Sequence, residues 1–237
     1  MSKKRIAIIG DSTVEWIRPY RNHQDEYTYS EYLLNNNQHI VDIYVKAGMT
    51  SHEALILIWK ELMGKFYDYY IFSFGINDCT PRSYPKIMAD YYNNTLIAQN
   101  FLDKFLFLFY RVLTSTKLQK ICSKFGISNP WTSLNVFEKN IDRIISLLSK
   151  ETDGKLIFIS IPKTSKRVCD ILVDINEIIP KYSDVIIKKT SDRVHIINLD
   201  LLFRDDYELY IPEGIHYSAN GHRLVYDKIK DWIEKNV

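Results

Sequence analysis

Five short apolar runs, separated by stretches with helical periodicity, constrain the fold of this chain more than any other feature of its sequence. Each run is rich in Ile, Val, Phe or Tyr and is bounded by Gly, Asp or Asn. Runs that stay apolar along their whole length suit strands buried on both faces, as in a parallel sheet. The five runs are residues 5–9, 40–45, 69–74, 156–161 and 194–199.

Helical patterns lie between these runs. They cover residues 29–36, 51–63, 133–150, 180–189 and 219–235. Strand and helix signals that alternate in this way predict an α/β sandwich built on a parallel sheet. The chain has 237 residues and neither an internal repeat nor a Ser/Gly/Pro-rich linker. We therefore expect one domain over residues 1–237.

One segment, residues 82–132, breaks this alternation. It holds a dense apolar stretch that includes Phe101, Phe105, Leu108 and Phe109. Because long structureless loops are uncommon in compact domains, the pattern predicts an inserted helical element at about 82–132. The first interpretation is that its apolar face packs on the core. A lid over the active site and contact with a membrane surface are the alternatives.

Composition excludes several classes of protein. The chain has 31 Lys plus Arg and 29 Asp plus Glu, and this net charge of +2 is too small to indicate electrostatic binding to nucleic acid. Cys79, Cys122 and Cys169 form neither a disulfide framework nor a metal-binding CxxC pair, and they fit a reducing compartment. The N-terminal apolar run, residues 6–9, is too short for a signal peptide or a membrane span. We expect a cytoplasmic protein without an integral membrane segment.

A candidate nucleophile follows the first predicted strand, where the chain reads Gly10-Asp11-Ser12. Ligands of open α/β sheets bind just outside the carboxyl ends of the strands. A serine becomes a strong nucleophile only when an imidazole takes its proton and a third group orients that imidazole. His216 can supply this imidazole, and Glu213, three residues before it on a glycine-containing loop, can supply the orienting group. That loop follows the last strand and should emerge at the same sheet edge as Ser12.

Two more strand ends offer hydrogen-bond donors for the oxyanion that develops in acyl transfer. Gly48 follows the second strand and can present its N–H without a side chain in the way. Asn77 follows the third strand in the sequence Gly75-Ile76-Asn77-Asp78, and its side chain carries a neutral NH₂ donor. Each signal is weak alone, but the ordered set of four predicts one site.

This order of blocks resembles the SGNH (GDSL) hydrolase superfamily: Gly-Asp-Ser, an isolated Gly, Gly-x-Asn-Asp, and a carboxylate three residues before a C-terminal His. The resemblance runs from residue 6 to about residue 222, apart from the segment 82–132. It implies Ser12 as nucleophile, His216 as general base and then acid, and an oxyanion hole formed by Ser12, Gly48 and Asn77. It also implies a flavodoxin-like three-layer α/β/α sandwich with a five-stranded parallel sheet.

The chain departs from the family pattern at one position, because Glu213 stands where the family usually has Asp. The extra methylene moves the carboxylate by roughly 1.5 Å. Glutamate orients the histidine in other serine hydrolases, so we expect Glu213 to be the third member of the triad. The alternative is a Ser–His dyad in which a backbone carbonyl holds His216. Asp200, Asp205 and Asp206 are less well placed for this role.

These residues predict a serine esterase that cleaves O-acyl esters through an acyl-serine intermediate, with a carbohydrate O-deacetylase as the first choice of substrate class. The first alternative is an acyltransferase that moves the acyl group to a sugar hydroxyl with the same triad. The second is a catalytically silent binding module of the same fold. We expect a small-molecule or glycan ester as the partner and neither a cofactor nor a metal. The sequence does not indicate an oligomeric state.

Overall fold

The structure, a computed structural model, describes residues 3–21, 23, 25–95, 100–204 and 206–236. Its centre is a five-stranded parallel sheet with the strand order β2-β1-β3-β6-β7. The strands of the chain are β1 (Lys4–Gly10), β2 (His39–Val45), β3 (Tyr69–Ser73), β4 (Pro81–Arg82), β5 (Asn129–Pro130), β6 (Lys155–Ile159) and β7 (Val194–Ile197). Strands β4 and β5 form a separate antiparallel pair. All five predicted strands are present, and the flavodoxin-like sheet is confirmed.

Helices cover both faces of this sheet. They are α1 (Ser12–Glu15), α2 (Tyr29–Asn35), α3 (Ser51–Leu57), α4 (Ile76–Cys79), α5 (Lys86–Asn94), α6 (Phe101–Leu113), α7 (Thr116–Lys124), α8 (Leu134–Glu151), α9 (Lys166–Cys169), α10 (Ile175–Ile187), α11 (Leu199–Phe203), α12 (Tyr207–Tyr210) and α13 (Ala219–Lys235). A π-helical turn, Ile58–Leu62, continues α3.

Alternate residues of each strand enter two separate cores, which makes the fold three-layered. On β1, Ala7 and Ile9 join the core formed with α3, α8 and α10. Ile6 and Ile8 point to the other face and join the core formed with α2 and α13. All four side chains are fully buried. The continuous apolar run of β1 is therefore the consequence of a strand that is covered on both faces.

The carboxyl ends of β1, β2 and β3, which are neighbours in the sheet, are joined by backbone hydrogen bonds just beyond the sheet. Asp11 N donates to Ser73 O at 3.0 Å, and Lys46 N donates to Gly10 O at 3.1 Å. These bonds bring together the segments that follow β1, β2 and β3. The same sheet edge therefore carries the loops that contain Ser12, Gly48 and Asn77.

Helix α10 begins earlier than the pattern predicts. The helical pattern covers residues 180–189, but α10 runs from Ile175 to Ile187 with Pro180 inside it. Ile175 and Ile179, four residues apart, are both fully buried. Their burial extends the helix past a residue that removes one backbone donor.

The described part of the segment 82–132 contains α5, α6 and α7, and the β4–β5 pair closes its base. Residues 96–99 lie outside the described residues. Leu106, Phe107 and Tyr110 of α6 are half-buried, whereas Phe101 and Leu108 are exposed. The expectation that the apolar face of this segment packs on the core is therefore wrong for much of α6, which has more apolar surface than the protein beneath it can cover.

No helix in the described ranges combines the length and the apolar character needed to cross a bilayer.

Candidate active site

Ser12 is the first residue of α1, immediately after the buried strand β1. Its neighbour Asp11 is the N-cap of this helix, and Asp11 Oδ1 accepts from Thr13 N at 2.9 Å and from Thr13 Oγ1 at 2.8 Å. An aspartate in this position satisfies backbone donors that a helix start leaves without a partner. Ser12 is only 8% exposed. The local sequence thus holds the serine on a rigid turn at the sheet edge.

His216 lies against this serine and against Glu213. Its Nε2 is 2.9 Å from Ser12 Oγ, and its Nδ1 is hydrogen-bonded to Glu213 Oε1. Because a carboxylate only accepts hydrogen bonds, Nδ1 carries the proton in the neutral ring and Nε2 is the acceptor for the serine hydroxyl. The three predicted residues therefore form one chain of hydrogen bonds, in the order that proton transfer from serine needs.

The loop that carries Glu213 and His216 owes its shape to Gly214. This residue has a φ of +95°, and a Cβ on it would collide with Val168 and Ser165. The turn brings His216 N within 3.3 Å of Glu213 Oε1. A glycine here therefore allows one tight turn to hold the carboxylate beside both the backbone and the ring of the histidine.

Glu213 is held as a carboxylate from two sides. Burial opposes its ionisation, but the hydrogen bond and charge of His216 and the charge of Arg18 lower its pKa from the ordinary value. Arg18 Nε is 3.7 Å from Glu213 Oε2. The Arg18 guanidinium also lies over the rings of Trp16, at 4.9 Å, and Tyr20, at 4.2 Å. The acidic group is therefore ionised when it faces the imidazole.

Trp16 covers the imidazole. Its ring centroid is 5.0 Å from that of His216. The backbone carbonyl of Trp16 accepts from Nε2 of His222, which is fully buried and whose Nδ1 accepts from Tyr29 N at 3.2 Å. Burial lowers the pKa of His222 to about 4, so this ring is neutral at pH 7. His222 is therefore a packing residue of α13.

Asn77 is fixed in one orientation by an acceptor on one side and a donor on the other. Its Nδ2 donates to Asp11 Oδ2 at 2.9 Å, and its Oδ1 accepts from Arg82 Nη2 at 3.0 Å. Arg82 Nη1 also donates to the backbone carbonyl of Asn77 at 2.9 Å, and the guanidinium lies 3.7 Å from the Trp131 ring centroid. One amide hydrogen of Asn77 binds Asp11, and the second is left for a ligand.

Two buried carboxylates support this arrangement. Burial raises the pKa of Asp11, although Thr13, His216 and Asn77 oppose the shift. Burial also raises the pKa of Asp78 to about 6, and its carboxylate accepts from Ser51 N at 2.9 Å and from Ser51 Oγ at 2.7 Å. Asp78 thereby ties α4 to the start of α3. Both aspartates thus accept hydrogen bonds from backbone N–H groups at the start of a helix.

Gly48 lies on the turn that follows β2. Its φ is +76°, a conformation that favours glycine, and nothing lies within 4 Å of the place a Cβ would take. In the parts of the chain that the structure describes, neither Ser12 N–H nor Gly48 N–H has a hydrogen-bond partner. Both groups can therefore serve a ligand.

Sequence reasoning missed three residues of this site. Asp11 and Arg82 fix the amide of Asn77, and Arg18 binds the Glu213 carboxylate. Asp205, one of the less favoured alternatives to Glu213, lies outside the described residues, whereas Asp200 binds Lys163 N at 2.8 Å and Tyr207 Oη at 2.8 Å. Over the described ranges, no group of three or more His, Cys, Asp or Glu is placed to hold a metal ion.

Several solved structures have a fold similar to that of this chain. A lipase/acylhydrolase from Enterococcus faecalis matches with a TM-score of 0.60 and 15% identity, over 98% of this chain and 96% of the other. A GDSL-like lipase from Bacteroides thetaiotaomicron matches with a TM-score of 0.57 and 16% identity, over 99% and 89%. The acetyl xylan esterase AlAXEase matches with a TM-score of 0.56 and 17% identity, over 97% and 99%.

These neighbours share a three-layer α/β sandwich with the present chain over nearly its whole length. The chain therefore shares the fold of a protein named a GDSL-like lipase, and this fold is the five-stranded parallel sandwich that the resemblance of its sequence blocks implies. No family model matches the chain, and no curated protein is significantly similar to it in sequence.

Proposed function

We propose that this protein is a serine esterase that hydrolyses carboxylic O-acyl esters through an acyl-serine intermediate. The observation that carries the proposal is the 2.9 Å separation of Ser12 Oγ and His216 Nε2, with Glu213 on the other ring nitrogen. A hydroxyl, a base and an orienting carboxylate in this order are the parts that nucleophilic acyl transfer requires.

In the first half of the reaction, Ser12 Oγ forms a bond to the ester carbonyl carbon while its proton moves to His216 Nε2. The imidazolium is stabilised by the Glu213 carboxylate, to which it is hydrogen-bonded. When the tetrahedral intermediate collapses, the bond to the alcohol oxygen breaks and His216 returns the proton to that oxygen. In the second half, water gives a proton to His216, attacks the acyl-serine, and the acid leaves as Ser12 recovers its proton.

The charge that develops on the carbonyl oxygen needs donors in fixed positions. We assign this role to Ser12 N–H, Gly48 N–H and the second amide hydrogen of Asn77. The assignment is supported by the two backbone N–H groups without a partner in the described chain and by the fixed orientation of the Asn77 amide. Donors that need no reorientation during the reaction are the most effective ones.

For the substrate class we propose a short acyl ester of a carbohydrate, the narrower of the sequence predictions. Of the three solved structures compared above, one is named an acetyl xylan esterase and two are named lipases. The Trp16 ring beside His216 and the Tyr20 ring beside Arg18 are both exposed and offer apolar faces on which a sugar ring can stack. The cytoplasmic location and the absence of a cofactor stay predictions.

The test compares the wild type with Ser12→Ala on aryl acetates and on a panel of acetylated sugars. Loss of the nucleophile should lower kcat on the order of 10⁶-fold, and a fluorophosphonate should label the wild type and not the variant. Ser183→Ala is the matched control, because Ser183 is also buried and its hydroxyl has no partner among the described residues. An active Ser12→Ala variant would overturn the mechanism. Acyl transfer to an added sugar that outruns hydrolysis would reassign the protein as an acyltransferase.

A further inference from the structure

The helix α6 turns its most apolar face away from the protein. Its side chains that face inward are Asp103, Leu106, Phe107 and Tyr110, and the rings of Phe107 and Tyr110 contact Tyr92 of α5. The opposite stripe consists of large apolar side chains that are 46–85% exposed: Phe101, Leu102, Phe105, Leu108, Phe109 and Val112. Such a contiguous apolar stripe on a surface helix marks an interaction site.

The helix α7 and the turn after it add further exposed apolar side chains. Ile121 is 50%, Phe125 77% and Ile127 61% exposed. Ser123 Oγ accepts from Val173 N at 2.9 Å, so α7 is fastened to the body of the protein by its other side. The exposed side chains of α6 and α7, together with Phe125 and Ile127, are called the apolar–basic surface below.

The charges on this surface have one sign. Its basic side chains are all exposed: Lys104, Arg111, Lys117, Lys120 and Lys124. The one acidic residue of these helices, Asp103, is 8% exposed and binds Tyr91 Oη. Because the whole chain carries a net charge of only +2, the excess of positive charge is concentrated here and the rest of the chain is net negative.

We propose that the apolar–basic surface docks the protein on an anionic lipid bilayer, with α6 lying in the interface between headgroups and acyl chains. Exposed Phe and Leu beside Lys and Arg is the composition of helices that bind membrane surfaces. The 13 residues of α6 extend about 20 Å, too short to span a hydrocarbon core of about 30 Å. The apolar stripe enters the bilayer and the basic side chains bind lipid phosphates.

Charge favours lipid over a second copy of the chain as the occupant of this surface. Two copies that met through it would bring together ten exposed cations and leave them without counter-charges, since Asp103 is buried and already bonded. An anionic bilayer supplies the missing negative charge across the whole surface. A basic or neutral partner would likewise leave these cations without counter-charges.

The docking surface is attached directly beside the candidate active site. The segment leaves the sheet at Arg82, which binds Asn77, and returns at Thr132, whose N–H donates to Asp78 O at 3.2 Å. A protein held on a bilayer by α6 would therefore have its proposed esterase site next to the anchored segment. This docking does not require that the ester chemistry be correct, and the two are tested separately.

The test is co-sedimentation of the purified full chain with vesicles of phosphatidylcholine alone or of phosphatidylcholine mixed with phosphatidylserine. We expect binding only to the anionic vesicles, and weakening by added salt. Phe101→Ser/Phe105→Ser should lower the vesicle partition coefficient at least about tenfold, because two largely exposed rings lose their burial in lipid. Lys117→Glu/Lys120→Glu should lower it through charge alone.

Phe66→Ser is the matched control, because Phe66 is 65% exposed on another part of the chain and its loss should leave vesicle binding unchanged. Circular dichroism shows that each variant is folded. Ser12→Ala should bind vesicles as the wild type does, so failure of the proposed chemistry and failure of the docking give different results. Absence of binding to anionic vesicles overturns the docking. A wild-type dimer that Phe101→Ser/Phe105→Ser converts to a monomer, by sedimentation equilibrium, also overturns it in favour of a second copy.

Discussion

The replacement Asn77→Ala should damage both the chemistry and the stability of the protein, by amounts that the structure allows us to separate. The side chain has two tasks. Its Nδ2 binds the buried Asp11 carboxylate at 2.9 Å and, in our proposal, stabilises the oxyanion with its second hydrogen. Alanine removes both.

The catalytic loss follows from the missing oxyanion donor, which is worth about 2.7–4 kcal/mol in the transition state, or a decrease in kcat of about 10² to 10³-fold. The loss of stability follows from Asp11, which is fully buried and keeps only Thr13 as a hydrogen-bond partner. A buried acceptor without its partner costs about 1–3 kcal/mol. For a chain of 237 residues, this corresponds to a decrease in Tm of roughly 2–12 °C.

The assay measures kcat and KM on an aryl acetate well below the Tm of each variant, and Tm by circular dichroism. Asn140→Ala is the matched control: Asn140 is 2% exposed, donates to Ser51 Oγ at 3.0 Å and touches none of the proposed catalytic groups. It should lose stability and keep its kcat. If Asn77→Ala retains the kcat of Asn140→Ala, the amide is not an oxyanion donor and the reasoning fails.

Two further predictions concern Glu213 and the pH dependence of stability. Glu213→Gln should lower kcat by about 10³ to 10⁴-fold because the amide no longer holds His216 in the reactive tautomer, and wild-type turnover in steady-state assays would instead indicate a Ser–His dyad. Burial raises the pKa of Asp78 from 3.8 to about 6, so its contribution to stability is present below pH 3.8 and is lost as pH rises through 6. Burial lowers the pKa of His222 from 6.5 to about 4, so its contribution is present above pH 6.5 and is lost as pH falls through 4. Between about pH 4 and pH 6 the contributions of Asp78 and His222 to the free energy of unfolding change in opposite directions. On acidification, the free energy of unfolding measured in urea should therefore fall by about 3 kcal/mol more for Asp78→Asn than for the wild type. The same pH dependence in both proteins would contradict this.

The sheet could be predicted because its strands are covered on both faces. Residues 6–9 of β1 are fully buried, and a short run that is apolar at every position indicates a strand of this kind. The order of Ser12, Gly48, Asn77 and His216 was also informative, since the ends of parallel strands meet at one edge. Helix α10 was harder to place, because the burial of Ile175 outweighs the local preference of Pro180 for a first turn.

The supporting contacts of the site could not be predicted, for two physical reasons. Arg18 and Glu213 are far apart in the chain, and the sequence periodicity that predicts helices and strands does not predict an ion pair between two loops. Arg82 is close to Asn77 in sequence, but the guanidinium that binds Oδ1 also packs on Trp131, which comes from the far end of the segment 82–132. The exposure of the apolar side chains of α6 could not be predicted either, because an amphipathic pattern identifies the apolar face of a helix but not whether that face points to the core or to solvent.

The Arg82 contact determines where this chain can be cut without loss of its chemistry. A deletion that removed all of residues 82–132 would take away the cation that orients the Asn77 amide, together with the ring that supports it. A shorter excision that retains the β4–β5 pair and Trp131 preserves both. We expect the shortened protein to lose vesicle binding and to keep the Asn77 amide in its orientation. Pro81–Arg82 and Asn129–Pro130 are therefore the elements next to which an engineered deletion should begin and end.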